Sequence, residues 1–290
     1  MNFGQLITAM VTPFNDRLEI DWEATGKLID YLIEQQSDAI VVSGTTGESP
    51  TLTDEEKVQL FRFAVEHAAG RCKVIAGTGS NETAHSVQLT RRAQEVGVDG
   101  ALLVTPYYNK PSQEGVYQHF KTIAEAAESL PIMLYNVPSR TVTSISVETT
   151  LRLAQIPNIV ATKECVLEQM TEIVGHAPEG FRLYSGDDGI TLPTLAVGGY
   201  GIVSVASHIV GPRMKDLIAA FKAGRVEDAI RINQELFPIF KGLFNCPHPV
   251  PNPVPVKYAL TLRGIRVGGV RLPLVDATEA ETAFIRQLLE

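Results

Sequence analysis

A lysine at the end of a short apolar segment has the most evident chemical potential in this sequence. Lys163 closes the run Ile-Val-Ala-Thr-Lys, residues 159–163, whose β-branched composition after Pro157-Asn158 is typical of a strand buried on both faces. Burial disfavours the ammonium form of lysine, and the neutral amine is the form that attacks a ketone. The alternative interpretation is a lysine that marks the solvated end of a strand. The ends of the other strands must decide between the two.

Short apolar segments recur along the first two thirds of the chain, separated by stretches with helical periodicity. Their spacing of roughly 20 to 34 residues corresponds to one strand plus one crossover helix. Thr53-Asp54-Glu55-Glu56 has the form of a capping box that opens such a helix. We predict a (β/α)8 TIM barrel, with strands beginning near Leu6, Ala39, Lys73, Ala101, Ile132, Ile159, Phe181 and Gly201. A doubly wound open sheet is the competing layout, but no Gly-x-Gly-x-x-Gly fingerprint follows the first strand.

The pattern changes after the eighth segment, where only helical stretches are predicted. They cover residues 214–223, 226–243, 254–262 and 277–289, so we expect a catalytic barrel at 1–224 and a C-terminal helical region at 225–290. The proline-rich segment 246–253 is predicted to be an extended connector. His248 within it has no second ligand at metal-binding spacing and receives no role.

Composition excludes several classes of protein. A hydrophobic content of 44% over 290 residues supports a large core, and a net charge of −8 without a basic cluster argues against nucleic acid and anionic membranes as partners. Cys72, Cys165 and Cys246 lack paired spacing, which suits a reducing compartment. The N-terminus has neither a basic segment nor a long apolar stretch, so we expect a cytoplasmic protein without a signal peptide or membrane span.

Polar and aromatic residues gather where the predicted strands end. Active sites of (β/α)8 barrels lie at the C-terminal ends of the strands, and a pocket for a small carboxylate would need residues of these types there. The segments concerned are Ser43-Gly44-Thr45-Thr46-Gly47-Glu48-Ser49, Thr105-Pro106-Tyr107-Tyr108-Asn109, Tyr135-Asn136-Val137-Pro138-Ser139-Arg140, Lys163-Glu164 and Ser185-Gly186-Asp187-Asp188.

The glycine-rich segment and the arginine each have a second interpretation. Gly44-Thr45-Thr46-Gly47 has the glycines of a phosphate cradle but not the lysine of a P-loop, and backbone donors with two hydroxyls suit a carboxylate equally. Such turns also occur without any ligand. Arg140 is either a surface residue or a bidentate clamp on a carboxylate.

The tyrosines and carboxylates at the strand ends also have more than one interpretation. The pair Tyr107-Tyr108 could cap the barrel or fill a subunit contact, and Tyr135 could be a core tyrosine with a satisfied hydroxyl. Glu164, Asp187 and Asp188 suggest a divalent metal. We discount a metal because adjacent carboxylates on a turn point to opposite sides, and Glu164 has the pattern of a surface residue as much as that of a ligand.

Together these fragments resemble the dihydrodipicolinate synthase family of pyruvate-dependent class I aldolases. Six motifs occur in the family's order and spacing over essentially the whole chain, and the Pro-Ser-Arg turn is absent from the related N-acetylneuraminate lyases, which usually have serine at the position of Thr45. The motifs are Gly44 to Ser49, Val104 to Pro111, Tyr135 to Thr141, Lys163-Glu164, Ser185 to Asp188 and Asn252-Pro253-Val254-Pro255-Val256-Lys257.

The resemblance implies roles for residues at the ends of the strands. Lys163 would form an imine with pyruvate, whose enamine adds to L-aspartate semialdehyde, and Tyr135, Thr45 and Tyr108 would relay protons, with Tyr108 reaching across a subunit interface. Thr46 would bind the pyruvate carboxylate, Gly186 and the carbonyl of Val203 would face the pyruvyl group, and Arg140 would receive the semialdehyde carboxylate. The resemblance further implies no metal or other cofactor and a homotetramer built as a dimer of dimers.

Three departures from the family pattern are visible. The loop after Lys163-Glu164 is about two residues shorter than in most relatives, and the connector at 246–250 is longer. The family's feedback site for lysine would map near Ser49, Asn81 and Tyr107, where inhibited members carry a glutamate in place of His85 and a histidine in place of Lys57. We therefore expect weak or absent inhibition by lysine.

Two other functions remain open from the sequence. A pyruvate-dependent aldolase that acts on a sugar acid would keep Lys163 and Tyr135 but would not need Arg140. A non-catalytic binding protein on the same barrel is the second, prompted by the altered loop at Cys165.

Overall fold

The chain forms a closed barrel of eight parallel strands in the computed structural model, which describes residues 2–290. Neighbouring strands pair in chain order, and β8 closes the barrel on β1. The strands are β1 (Leu6–Ala9), β2 (Ala39–Val42), β3 (Lys73–Gly77), β4 (Gly100–Val104), β5 (Ile132–Asn136), β6 (Ile159–Glu164), β7 (Arg182–Ser185) and β8 (Gly201–Ser204). The predicted (β/α)8 barrel is confirmed, and each strand begins within one residue of the predicted position.

Helices lie between the strands and cover the outside of the barrel. Several begin where the sequence provides a cap. The Thr53 hydroxyl accepts a hydrogen bond from the backbone N–H of Glu56 in a complete capping box, and the Ser112 hydroxyl caps the helix that begins at Gln113. The helices are α1 (Trp22–Glu34), α2 (Asp54–Ala68), α3 (Thr83–Val96), α4 (Gln113–Ala126), α5 (Pro138–Thr141), α6 (Val147–Leu153), α7 (Leu167–His176), α8 (Thr191–Ala196), α9 (Ser207–Lys222), α10 (Val226–Gly242), α11 (Val254–Leu262) and α12 (Glu279–Leu289).

Alternation along each strand divides the core into two layers. Side chains such as Ile7, Val41 and Met133 fill the interior of the barrel, while Leu6 and Ile40, one position away, pack outward against the helices. Residues two apart share a face, so the inward Ala161 predicts that Lys163 also points into the barrel.

The C-terminal helices agree with the prediction except at one start. α9 begins at Ser207 rather than near residue 214, because it continues through a kink at Val210 with Pro212 inside the helix. Leu236 of α10 and Ile285 of α12 belong to the same apolar cluster as the outer layer of the barrel. The division of the chain at residue 224 therefore stays a prediction. No helix within residues 2–290 has the length and apolar character required to cross a membrane.

Candidate active site

Lys163 lies inside the C-terminal end of the barrel with little contact to solvent. It is 5% exposed and sits in register between Tyr135 of β5 and Tyr184 of β7. Its Nζ is 4.1 Å from the centroid of the Tyr135 ring. Burial lowers the pKa of Lys163 to about 8, although the nearby Asp188 carboxylate acts in the opposite direction. A large fraction of this amine is therefore neutral near pH 8.

Tyr135 places its ring, which carries a protonated hydroxyl, against that amine. The residue is 5% exposed, and burial raises the pKa of Tyr135 far above its usual range, while the Thr45 side chain offsets part of this rise. A phenol with such a pKa keeps its proton at neutral pH, so its O–H can donate a hydrogen bond and its oxygen can accept one. Tyr135 and Thr45 line the same cavity.

Thr45 and Thr46 belong to the loop after β2, which is held from several sides. The Thr12 hydroxyl donates to the carbonyl of Gly47 at 2.7 Å. The Asn252 amide, from the connector before α11, donates to Oγ1 of Thr46 at 2.9 Å. Sequence reasoning assigned no role to Asn252, because a contact between residues 206 positions apart leaves no local pattern.

Gly186, the residue after β7, lies next to Lys163, and Val203 of β8 faces the barrel interior. A Cβ built on Gly186 would lie 3.2 Å from both Cγ and Cε of Lys163 and would overlap the sulfur of Cys165. A side chain at this position would displace the sulfur of Cys165 and press against the Lys163 side chain. Val203 is 1% exposed and faces the barrel interior with Tyr135 and Tyr184.

Glu164 is buried, which corrects the expectation that it could equally be a surface residue. It follows Lys163 and therefore points to the opposite side of β6, where the Asn136 amide donates to its two carboxylate oxygens at 3.0 and 3.1 Å. The backbone N–H groups of Cys165 and Val166 donate to Oε1 at 2.9 and 2.8 Å. Burial raises the pKa of Glu164 to about 7. This carboxylate fastens the short loop, which consists of Cys165 and Val166 before α7 begins.

A cavity of about 740 Å³ opens above Tyr135 at this end of the barrel. Arg140 borders it and is exposed, which leaves its guanidinium available to an anionic ligand. The structure places Arg140 in the four-residue helix α5 rather than in a loop after a Pro-Ser turn. The cavity is lined by Thr45, Tyr135, Arg140 and Thr141, and further out by Ser49, Asp54, Lys57, Asn81, His85 and Tyr107.

Tyr108 does not join Tyr135 and Thr45 within one chain. Its side chain is 88% exposed, and its φ of +74° is a backbone conformation that residues other than glycine rarely adopt. The N–H of Asn109 donates to the carbonyl of Tyr107 at 2.9 Å, which closes a tight turn centred on Tyr108. The turn projects a large aromatic side chain into solvent.

The carboxylates considered for a metal point in different directions. Asp187 is exposed, whereas Asp188 is buried and accepts hydrogen bonds from the backbone N–H groups of Val205 and Ala206 and from the Ser204 hydroxyl. Within residues 2–290, no group of three or more His, Cys, Asp or Glu side chains is arranged to hold a metal ion.

Comparison with known proteins gives a consistent result over the full chain. The sequence profile described as "Dihydrodipicolinate synthetase family" matches residues 2–290. The chain is 57% identical to the 4-hydroxy-tetrahydrodipicolinate synthase of Bacillus subtilis, covering 97% of this chain and 96% of that protein. A dihydrodipicolinate synthase structure from Bacillus anthracis has a TM-score of 0.96 at 53% identity, covering 100% of this chain and 98% of the other. The structure of the enzyme from Cyanidioschyzon merolae with lysine bound has a TM-score of 0.96 at 47% identity, covering 99% and 97%. This chain belongs to the dihydrodipicolinate synthetase family.

Proposed function

We propose that this chain condenses pyruvate with L-aspartate 4-semialdehyde to form 4-hydroxy-tetrahydrodipicolinate, a step of diaminopimelate and lysine biosynthesis. The observation that carries the proposal is the buried Lys163 amine, whose pKa is lowered to about 8, in contact with Tyr135 inside a barrel whose full length matches the family. The enzyme is a lyase of the class I aldolase type, which works through an imine on lysine rather than through a metal.

The chemistry begins with attack of the neutral Lys163 amine on the ketone carbon of pyruvate. Loss of water gives the imine, and loss of a proton from the methyl carbon gives the enamine, which adds to the aldehyde carbon of the second substrate. The amino group of that substrate then attacks the imine carbon, closes the ring and releases Lys163. Each stage moves a proton, and Tyr135, next to the amine, is positioned to donate and accept it, with Thr45 and Tyr108 as the other members of the relay.

The two substrate carboxylates are assigned to different elements. Thr46, in the loop after β2, binds the carboxylate of pyruvate, while Gly186 and the carbonyl of Val203 face the pyruvyl group. Arg140, exposed at the cavity, binds the carboxylate of the semialdehyde. Local donors and one guanidinium thus attract anionic substrates to a protein whose net charge is −8.

The exposed turn at Tyr108 supports catalysis in an oligomer. Tyr108 is 88% exposed, so its side chain packs little against its own chain, and its backbone conformation is one that is rarely adopted. We assign it to the active site of a partner subunit in a homotetramer, a dimer of dimers. Cytoplasmic localisation remains part of the proposal.

Borohydride trapping tests the function directly. Reduction of the wild-type protein in the presence of pyruvate should add the mass of one reduced pyruvyl group, and peptide mapping should place it on Lys163. Absence of the adduct in a buffer at pH 8 would reject the imine mechanism and favour a binding protein on the same barrel. Coupled turnover with L-aspartate 4-semialdehyde should accompany the adduct.

Removing Arg140 separates this function from cleavage of a sugar acid. We expect Arg140→Ala to raise KM for the semialdehyde by about 10- to 100-fold, because hydrogen bonds to a charged group contribute about 1.5–3 kcal/mol. Half-saturation of borohydride trapping by pyruvate should not change. Arg140→Lys keeps the charge but loses the bidentate geometry, so its KM for the semialdehyde should lie between those of the wild type and Arg140→Ala. Unchanged KM in Arg140→Ala would favour the sugar-acid lyase.

The lowered pKa of Lys163 predicts how activity depends on pH. Only the neutral amine attacks, so kcat/KM for pyruvate should rise about tenfold per pH unit below the pKa of about 8 and level off above it. Tyr135 should cause no decline below pH 10, because burial raises its pKa above the usual value of 10.0. A pH profile from 6 to about 10 measures this. A profile that is flat through pH 8, or one that still rises steeply at pH 9.5, would contradict the assignment.

The outer part of the cavity predicts a weak response to lysine. Lys57 and His85 both approach the Asp54 carboxylate, at 3.7 and 2.8 Å, so the acidic group there is already paired, and the cationic Lys57 repels a second ammonium group. We expect no inhibition by lysine up to about 1 mM. The double variant Lys57→His/His85→Glu restores the residues of inhibited relatives and should increase sensitivity to lysine. Wild-type inhibition below 1 mM would refute the prediction.

A further inference from the structure

The loop that carries Thr45 and Thr46 is fastened by residues from the C-terminal helical region. Asn252 and Thr46 are 7% and 3% exposed, and the Asn252 Nδ2 donates to Oγ1 of Thr46 at 2.9 Å. Neither residue is close to the other in the chain, so this bond ties the connector before α11 directly to the loop that follows β2.

This hydrogen bond fixes the direction of the Thr46 hydroxyl hydrogen. A threonine hydroxyl has one donor hydrogen and two acceptor lone pairs. Because Asn252 supplies a donor to the oxygen, the hydrogen must point to an acceptor elsewhere, and within residues 2–290 the Thr46 hydroxyl donates to no protein atom. An anionic oxygen in the active site is the acceptor that this arrangement fits best.

The far end of the same loop is fixed by a buried ion pair. Lys257 of α11 donates to Oε1 of Glu48 at 2.7 Å and to the carbonyl of Gly269 at 2.6 Å, and the backbone N–H of Arg271 donates to Oε2 at 2.9 Å. The side chains of Lys257 and Glu48 are 3% and 0% exposed. Glu48 has a φ of +56°, so these bonds hold a non-glycine residue in the left-handed region, which persists only where its surroundings determine it.

We propose that the C-terminal helical region is a positioning element of the pyruvate site: Asn252 aims the Thr46 hydroxyl at the pyruvate carboxylate, and Lys257 holds the loop through Glu48. The inference rests on the proposed function and deepens it. Asn252 acts through Thr46, so it is a positioning residue.

Two variants of Asn252 test the direction of the hydroxyl. Asn252→Ala removes the donor and should raise the pyruvate concentration for half-maximal borohydride trapping by about tenfold, the effect of one hydrogen bond to a charged group. Asn252→Asp has the same size but only accepts, so it draws the Thr46 hydrogen away and should weaken pyruvate binding further. Both should leave KM for the semialdehyde within about twofold and the melting temperature within a few degrees of the wild type.

His248→Ala is the matched control in the same connector. Its imidazole pairs with Glu281 of α12 at 3.0 Å and reaches nothing in the loop after β2. We expect its trapping curve to coincide with that of the wild type. In a double-mutant cycle, adding Asn252→Ala to Thr46→Val should cause little further loss, because the first residue acts through the second.

The outcomes separate this inference from the proposed function. A wild type that forms no adduct with pyruvate rejects both. A wild type that forms the adduct, with Asn252 variants that keep its half-saturation, rejects the positioning role alone. Equal increases of both KM values, or additive losses in the cycle with Thr46→Val, also reject it, since either would show a general structural effect. If Asn252→Ala does not fold, Asn252→Asp alone still tests the positioning role.

Discussion

Replacing Lys163 by methionine is expected to lower kcat by at least about 10⁴-fold, the scale of loss when an enzyme's covalent nucleophile is removed. Methionine fills a similar volume without an amine, and the lysine it replaces is 5% exposed with a lowered pKa, so no buried ion pair is broken. The fold should be retained or gain stability, because a charge that burial disfavours is gone. Coupled turnover measures kcat, and borohydride trapping should yield no adduct.

The control for this variant is Lys73→Met. Lys73 is the first residue of β3, exposed at the opposite end of the barrel, where it pairs with Asp99 at 2.7 Å. Its loss should change neither turnover nor the adduct. Residual activity of Lys163→Met above about one per cent of the wild type would mean that another group supplies the nucleophile, and an adduct that persists would identify that group by peptide mapping.

The position of Lys163 illustrates what sequence patterning can establish. Strand starts follow from apolar segments and their spacing, because burial on two faces imposes a composition that is visible locally. The end of each strand is then the place where polar residues can meet, and this placed Lys163, Tyr135, Thr45 and Arg140 at one end of the barrel. These candidate residues could be predicted because each lies in the last two positions of a strand or within four residues after one.

Contacts between distant segments could not be predicted in this way. Asn252 binds Thr46 and Lys257 binds Glu48, over separations of 206 and 209 residues, and no periodicity couples positions so far apart. Glu164 was equally invisible: a carboxylate is usually exposed, and its burial depends on the Asn136 amide and on two backbone donors of the short loop. The same bonds explain how a loop of two residues after β6 retains a defined shape beside the nucleophile.

The two tyrosines beside Lys163 occupy equivalent positions but have different surroundings. Tyr135 and Tyr184 are both in register with Lys163, on β5 and β7. The Tyr184 hydroxyl donates to the carbonyl of Gly4 at 2.9 Å, and this bond commits it to the structure of the barrel. The Tyr135 ring instead contacts the amine and borders the cavity. Register alone therefore does not distinguish the two tyrosines. The bond of the Tyr184 hydroxyl to Gly4 does, and it leaves Tyr135 as the candidate for the proposed proton transfer.

Removing the hydroxyl of Tyr135 should consequently be far more harmful than removing that of Tyr184. We expect Tyr135→Phe to lower kcat by about 10² to 10⁴-fold, the usual contribution of general acid-base catalysis. The phenyl ring remains against the Nζ of Lys163, so the pKa of the amine and the binding of pyruvate should change little. Borohydride should still trap the imine. The rate of imine formation, measured by rapid quench, should be lower than in the wild type.

Tyr184→Phe is the matched variant, because it removes a hydroxyl from the other neighbour of Lys163. It deletes one hydrogen bond, to the Gly4 carbonyl, and should cost about 1 kcal/mol of folding free energy while kcat stays within about twofold of the wild type. Thermal unfolding and turnover of the two variants, measured together, distinguish a catalytic hydroxyl from a structural one. If both variants lost activity to the same extent, Tyr135 would be a packing residue and the proton relay would have to pass through Thr45 and water. A relay through Tyr135 requires that the large loss of kcat appear in Tyr135→Phe alone.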